Sequence, residues 1–124
     1  MEDLTRVEER IMQILWKIKS GFVKDVLEQI TDDPKPPYNT ISSVVRILAK
    51  KGYLHFKAYG KTYEYYPAIS KHEYRNRQLR KMISGYFGDS PASLLSFIVK
   101  EENLSKKEID ELKNMIDKID PDPS

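Results

Sequence analysis

Residues 38–67 read YNTISSVVRILAKKGYLHFKAYGKTYEYYP, and their hydrophobic period changes at Gly52. Before this glycine, apolar residues recur three and four positions apart, which is the spacing of one helix face. They are Ile41, Val44, Val45 and Leu48. After it, residues 53–57 and 62–66 alternate as two strands around a Tyr-Gly-Lys turn. The stretch therefore predicts a helix followed by a hairpin.

Two more helices are predicted before this stretch. Thr5 and Glu8 have the spacing of a capping box, which starts the first helix near residue 5. Its apolar face is Val7, Ile11, Ile14, Leu15 and Ile18. Residues 22–30 form the second helix, and a proline-rich loop, residues 31–37, separates it from the third. Asn39 or Thr40 is expected to be the N-cap of the third helix.

The order of three helices and a basic hairpin is typical of a winged helix-turn-helix domain. In this fold the third helix enters the major groove of DNA, and the hairpin contacts the backbone. The predicted fold class is mostly α with a small β hairpin, and the predicted winged domain covers residues 1–69.

Three further helices are predicted after Pro67. Ser70 with Glu73 opens the first, Ser90-Pro91 the second and Ser105 with Glu108 the third. Their apolar residues have few partners within the chain, so we expect a second copy to cover them. These candidate dimerisation residues are Leu79, Met82, Ile83, Phe87, Leu94, Leu95, Ile98, Ile109, Leu112, Met115 and Ile116. Residues 70–124 are thus a predicted dimerisation region, and its tail from Asp120 is expected to fray.

The composition excludes several classes of function. The chain has 124 residues and no cysteine, which excludes disulfides, cysteine-zinc sites and cysteine catalysis. His55 and His72 have no ligand partner at suitable spacing, and Ser93 and Ser96 have no catalytic His and Asp, so we expect no metal, no cofactor and no enzyme. There is no apolar run of membrane-spanning length and no secretory signal, so a cytoplasmic protein is expected.

Positive charge is concentrated in the middle of the chain. The net charge is +2, but residues 38–66 carry five basic side chains against one Glu, and residues 67–82 carry another five against one Glu. The segments on either side are net acidic. Such a local basic patch favours a polyanionic partner such as double-stranded DNA.

The candidate DNA-binding residues lie on the third helix and the hairpin. Small hydroxyls let the backbone approach DNA, and an arginine can read a guanine. The candidates are Tyr38, Asn39, Thr40, Ser42, Ser43 and Arg46 on the helix, with Lys50, Lys57 and Lys61 as phosphate contacts. The alternative is that these are an ordinary solvated face and solubility charges. The basic run Lys71–Lys81 likewise either extends the DNA footprint or solubilises its helix.

Four sequence anchors resemble the BlaI/MecI family of penicillinase and methicillin-resistance repressors, and the resemblance covers nearly the whole chain. They are Glu8-Glu9 with residues 11–16 (IMQILW), residues 38–41 (YNTI) running on to 48–54 (LAKKGYL), residues 60–67 (GKTYEYYP), and residues 93–95 (SLL) with 103–112 (NLSKKEIDEL). Generic winged helices share the second and third anchors, but the order of all four is more specific.

The resemblance implies a dimeric transcriptional repressor of antibiotic-resistance genes that binds a palindromic operator. It also implies that a membrane-bound sensor-protease system relieves repression through cleavage in the short fifth helix, without insertion of this chain into the membrane. Counting back from Asn103 places the cut at Phe97-Ile98, whereas matching by residue type places it at Ser96-Phe97. Copper-responsive relatives carry a C-terminal cysteine cluster, which this chain does not have.

Two other hypotheses remain open at this point. One is a winged-helix regulator released by a small ligand, which a pocket closed by Tyr86, Phe87 and Leu94 would support. The other is a protein-interaction module that does not bind DNA, and the +4 charge of residues 38–66 argues against it.

Overall fold

The computed structural model describes residues 1–118 and contains six helices and one hairpin in that range. The helices are α1 (Arg6–Ile18), α2 (Val23–Glu28), α3 (Tyr38–Lys50), α4 (Lys71–Tyr86), α5 (Pro91–Glu101) and α6 (Lys106–Lys118). The strands β1 (Leu54–Tyr59) and β2 (Thr62–Pro67) pair antiparallel. The predicted fold class, a mostly helical winged helix-turn-helix protein, is confirmed. No helix in the described range is long and apolar enough to cross a membrane.

Side-chain caps start the helices where the sequence predicts them. The Glu8 N–H donates to Thr5 Oγ1 (3.2 Å), and the Thr5 N–H donates back to Glu8 Oε1 (2.8 Å). Ser70 and Ser105 accept in the same way from residues three positions later. Each cap satisfies a backbone donor that has no partner within its helix.

The predicted N-cap of α3 is wrong. The helix begins at Tyr38, and Pro37 occupies the cap position without a side-chain hydrogen bond. The Pro37 carbonyl accepts from the N–H groups of Thr40 (3.1 Å) and Ile41 (3.3 Å). Proline has the backbone angle that a helix start needs, so the polar side chains of Asn39 and Thr40 are not used as caps.

The core of the winged domain lies between the first three helices and the hairpin. Its buried hydrophobic residues are Ile11, Met12, Leu15, Val23, Val26, Ile30, Ile41, Val45, Leu48, Tyr53, Leu54, Tyr65, Ile69 and Tyr74. Two expectations for α1 are wrong: Val7 is 50% exposed, and Met12, which the predicted face omitted, is fully buried. The buried face of α1 therefore includes Glu8 and Met12 and does not include Val7.

Glu8 is buried and forms an ion pair with Lys51, the residue that follows α3. Lys51 Nζ donates to Glu8 Oε1 at 2.7 Å. Burial raises the pKa of the Glu8 carboxyl, but the hydrogen bonds from Lys51 and Thr5 outweigh it and leave the pKa below its ordinary value. The charged carboxylate is thus the form that suits the fold, since a buried charge is tolerated when it is paired.

The hairpin is fixed at its base as well as at its turn. Tyr59 pairs with Thr62, which leaves Gly60 and Lys61 as the turn, and Gly60 has a positive φ of 62°. At the base, Gly21 exchanges two backbone hydrogen bonds with Tyr65, at 2.8 and 2.9 Å. A Cβ on Gly21 would lie 2.9 Å from Ile18 Cδ1 and 3.1 Å from Asp25 Cβ, so a larger residue would require these side chains to shift. The wing is therefore attached to the α1–α2 connection.

The chain divides into two compact units within α4. The first unit is Met1–Arg75, and the second begins at Asn76. The sequence places the boundary a few residues earlier, between residues 69 and 70. The first turn of α4 belongs to the first unit, in which the Tyr74 ring lies 5.4 Å from the Trp16 ring and Tyr74 Oη donates to Glu9.

The second unit has no buried residue among residues 76–118. Within it, the rings of Phe87 and Phe97 meet edge to face at 5.4 Å. The apolar residues of α5 and α6 are half-buried or exposed, with Met115 at 62% and Ile116 at 53%. Ile119 and the tail from Asp120, which the sequence assigns to the end of the last helix and to a frayed terminus, lie outside the described residues.

Candidate DNA-binding surface

The outward face of α3 carries the predicted reading residues. Ile41, Val45 and Leu48 are buried on one side of the helix, so the opposite side faces outward. Asn39, Thr40, Ser43 and Arg46 are exposed there, Tyr38 is exposed at the start of the helix, and Ser42 is half-buried. The structure therefore brings the six predicted helix residues onto the accessible part of one helix.

The predicted phosphate contacts are exposed on two elements. Lys50 is at the end of α3, while Lys57 on β1 and Lys61 in the turn belong to the wing. Lys57 lies opposite Glu64 in the strand register, and its Nζ is 5.3 Å from the centre of the Tyr59 ring. Lys61 is at the tip, which is the part of the hairpin farthest from the core, so its charge is well placed for a partner outside the domain.

An open groove of 470 Å³ lies between the start of α2, α3 and the wing. Its lining combines cations with aromatic rings: Phe22, Val23, Lys24, Tyr38, Ser42, Arg46, Lys61, Thr62, Tyr63 and Tyr65. The groove thus joins the helix and the wing into a single surface with positive charge at several points along it.

Arg46 has the most central position on this surface. Its side chain borders the groove described above and two further grooves on the outer side of α3. Its Nε is 3.4 Å from the Ser42 carbonyl, a contact within the same helix. Burial raises the pKa of the Tyr65 hydroxyl, and the positive charge of Arg46 offsets part of that rise. The guanidinium therefore lies close to the wing as well as on the helix.

Three apolar residues on this surface were not among the sequence candidates. Ile47 is 46% exposed, Phe56 is 55% exposed and Tyr63 is 45% exposed. Tyr63 thus differs from Tyr53 and Tyr65, which are buried in the core. The signal for Ile47 was in the sequence, because position 47 falls outside the stripe of Ile41, Val45 and Leu48.

The other candidate residues lie outside this surface. Ser96, Phe97 and Ile98, the candidate cleavage residues, are exposed on α5. The basic run from Lys71 to Lys81 is on α4, with its cations exposed. Tyr86, which was to close a ligand pocket with Phe87 and Leu94, is 83% exposed, so its ring does not close one. Within residues 1–118, no group of three His, Asp or Glu side chains could hold a metal ion.

Comparison with known proteins gives a consistent result. The family model described as penicillinase repressor matches residues 4–118. The methicillin resistance regulatory protein MecI of Staphylococcus aureus is 26% identical over 116 residues, which are 94% of each chain. The penicillinase repressor of Bacillus licheniformis is 22% identical over 114 residues, which are 92% of this chain and 89% of that protein.

Two solved structures are also similar. One is the solution structure of the Bacillus licheniformis BlaI monomer in complex with the blaP half-operator, with a TM-score of 0.48, 25% identity and coverage of 59% of this chain and 89% of that chain. The other is the CopR repressor, with a TM-score of 0.46, 20% identity and coverage of 56% of this chain and 100% of that chain.

Proposed function

We propose that this chain binds a palindromic operator as a homodimer and is released by proteolytic cleavage within α5. The chain belongs to the penicillinase repressor family and is a DNA-binding transcriptional repressor. Its relatives include a methicillin resistance regulator and penicillinase repressors. The genes that we expect it to control are therefore antibiotic-resistance genes.

The observation that carries this proposal is the exposed basic face shared by α3 and the wing. Residues 38–66 have a net charge of +4, and Arg46, Lys50, Lys57 and Lys61 are all exposed. An α-helix fits the width of the major groove, where base edges can be distinguished. We infer that Arg46, Asn39, Thr40 and the α3 serines contact bases and nearby phosphates. The lysines contact the backbone and supply most of the affinity.

Dimerisation through the second unit is supported by its lack of an internal core. None of residues 76–118 is buried, although α5 and α6 carry regularly spaced apolar side chains. In water these side chains gain stability only when another surface covers them. A second copy of the chain supplies an identical apolar surface. Two recognition helices then reach successive major grooves about one DNA turn apart, which explains a palindromic site.

Cleavage at Ser96-Phe97 or at Phe97-Ile98 would divide α5. Phe97 is 51% exposed, and its ring packs against that of Phe87, which directly follows α4. A cut at either bond disconnects α6 from the rest of the chain and removes part of the apolar dimer surface. We propose that a membrane-bound sensor-protease system triggers this cut, and that the separated protomers lose the affinity gained from binding two half-sites at once.

Binding to DNA is tested by fluorescence anisotropy with a duplex from the region upstream of the chain's own gene. We expect Arg46→Ala to weaken binding roughly tenfold, the effect of losing one base contact worth about 1–3 kcal/mol. Lys17→Ala is the control, because Lys17 is an exposed cation on α1 and its loss changes the charge equally. If the two variants bind alike, Arg46 does not read bases.

Dimerisation and release need separate measurements. Ile116→Glu should shift sedimentation from dimer to monomer, whereas Asn114→Glu on the same helix should not, because Asn114 is exposed and its neighbours three and four positions away are exposed polar residues. A protein that sediments as a monomer before any substitution would rule out the dimer.

For release, mass spectrometry after co-expression with the sensor protease should find a fragment that ends at Ser96 or Phe97. If repression is relieved after induction while the chain is still intact, cleavage is excluded.

A further inference from the structure

Ile47 is an apolar side chain in the middle of a polar surface. It is 46% exposed and lies outside the buried core cluster of the winged domain. A shallow groove of 330 Å³ on the outer side of α3 is lined by Ser43, Arg46, Ile47 and Lys50. The isoleucine therefore has a hydroxyl one turn before it and cations on either side of it.

Neither the helix nor the core explains an isoleucine at this position. A β-branched residue forms exposed helix less well than lysine, glutamine or alanine. The hydrophobic core of the helix is already complete with Ile41, Val45 and Leu48. A single exposed apolar residue is common on protein surfaces. This one, however, lies on the face that carries the reading residues, where a departure from local preference points to a function.

We propose that Ile47 contacts the C5-methyl group of a thymine in the operator and so selects an A·T pair with thymine on the contacted strand. This inference rests on the proposed function, since it requires α3 to lie in the major groove. The thymine methyl is the one apolar group that the four bases present there, and cytosine has a hydrogen in its place. Arg46 and Lys50 contact polar and charged groups of the DNA, while Ile47 covers the thymine methyl group.

The arrangement also explains how a helix with one arginine can be specific. Arg46 recognises hydrogen-bond acceptors, and short hydroxyls such as Ser43 accept or donate to several bases. An apolar contact adds discrimination between thymine and cytosine at a neighbouring position, which the hydroxyls supply poorly. Ile47 is therefore a specificity-determining residue rather than a source of electrostatic affinity.

The test replaces thymine by deoxyuridine, one position at a time, in one half-site of a duplex selected by the wild-type protein from a random library. Deoxyuridine keeps the pairing and the O4 acceptor, so only the methyl is removed. At one thymine we expect wild-type binding to weaken about fourfold, the effect of exposing one methyl-sized group at ~0.8 kcal/mol. Ile47→Ala should bind the thymine and deoxyuridine duplexes equally at that position.

Val7→Ala is the matched control, because Val7 is 50% exposed on α1 and loses a similar apolar side chain. It should keep the fourfold discrimination. Circular dichroism should show that Ile47→Ala retains its helices, since the residue lies outside the core. If wild type and Ile47→Ala respond alike to deoxyuridine at every thymine, this inference is overturned while the proposed function stands. If the wild type selects no sequence from the library, both are overturned.

Discussion

Tyr74→Phe removes one hydroxyl from the first turn of α4 and leaves the aromatic packing in place. Tyr74 is 5% exposed, and its ring centre is 5.4 Å from that of Trp16 and 6.1 Å from that of Tyr53. Its Oη donates to Glu9 Oε2 at 3.1 Å. Phenylalanine keeps the ring contacts and loses the hydrogen bond. Because Glu9 is exposed and can be hydrated instead, we expect a loss of about 1 kcal/mol in the free energy of unfolding at neutral pH.

The same substitution should reverse its effect at high pH. Burial raises the pKa of Tyr74 from its ordinary 10.0 to about 12, with the hydrogen bond to Glu9 and its negative charge adding to the rise. The unfolded chain therefore loses this proton first. The stability contributed by neutral Tyr74 is complete below pH 10 and is lost as the pH rises toward 12. The loss is on the order of 1–2 kcal/mol at pH 11, which is at least as large as what the hydroxyl contributes at pH 7.

Urea unfolding followed by Trp16 fluorescence measures this effect directly, since Trp16 is the only tryptophan and packs on Tyr74. At pH 8 the wild type should be more stable than Tyr74→Phe, and at pH 11 the two should be equal or reversed. Other groups that titrate in this range do so in both proteins and cancel in the difference. Tyr86→Phe, at an 83% exposed position, should show no such crossing. A Tyr74→Phe difference that stays constant from pH 8 to pH 11 would refute the argument.

Three further predictions concern charge and backbone geometry. Gly52→Ala should destabilise the protein by about 1 kcal/mol, because Gly52 has a φ of 88°. Gly85→Ala should stabilise it, because Gly85 lies within helix α4. Thermal unfolding should therefore show shifts of the melting temperature with opposite signs for the two variants. Glu8→Gln should lower the urea midpoint at pH 7 by leaving Lys51 without its carboxylate. This deficit should shrink as the pH falls through the lowered pKa of Glu8, and a pH-independent deficit would contradict the ion pair. Lys61→Gln should reduce the log–log salt slope of operator binding by about 1 per protomer, and an unchanged slope would mean that the wing tip does not touch phosphate.

The parts of the fold that depend on local spacing were predictable. Ile41, Val45 and Leu48 recur with helical period, so the inward face of α3 follows from the sequence alone. The capping pairs Thr5 with Glu8 and Ser105 with Glu108 are three residues apart, and the helices begin beside them. These signals need no knowledge of the rest of the chain.

The parts that depend on distant partners were not predictable. Glu8 looks like a solvent-exposed acid until Lys51, 43 positions later in the chain, is placed beside it. Met12, four positions after Glu8 on the same side of α1, is buried as well, whereas Val7 is exposed. Ile47 could not be predicted for a different reason: an apolar side chain on a polar face has no charge or hydrogen-bonding group that would indicate DNA contact. DNA contact by the individual residues of α3 remains a prediction.

Several long-range hydrogen bonds of the winged domain end on main-chain carbonyl groups. Tyr53 Oη donates to the carbonyl of Glu2, Lys51 Nζ to that of Asp3 and Trp16 Nε1 to that of Ile69. Every residue type provides the same carbonyl, so the identities of residues 2 and 3 can drift during evolution without loss of these bonds. The donors have no such freedom, because few side chains reach as far with an N–H or O–H group. We therefore expect the residues that provide the acceptor carbonyls to tolerate substitution better than the residues whose side chains donate to them.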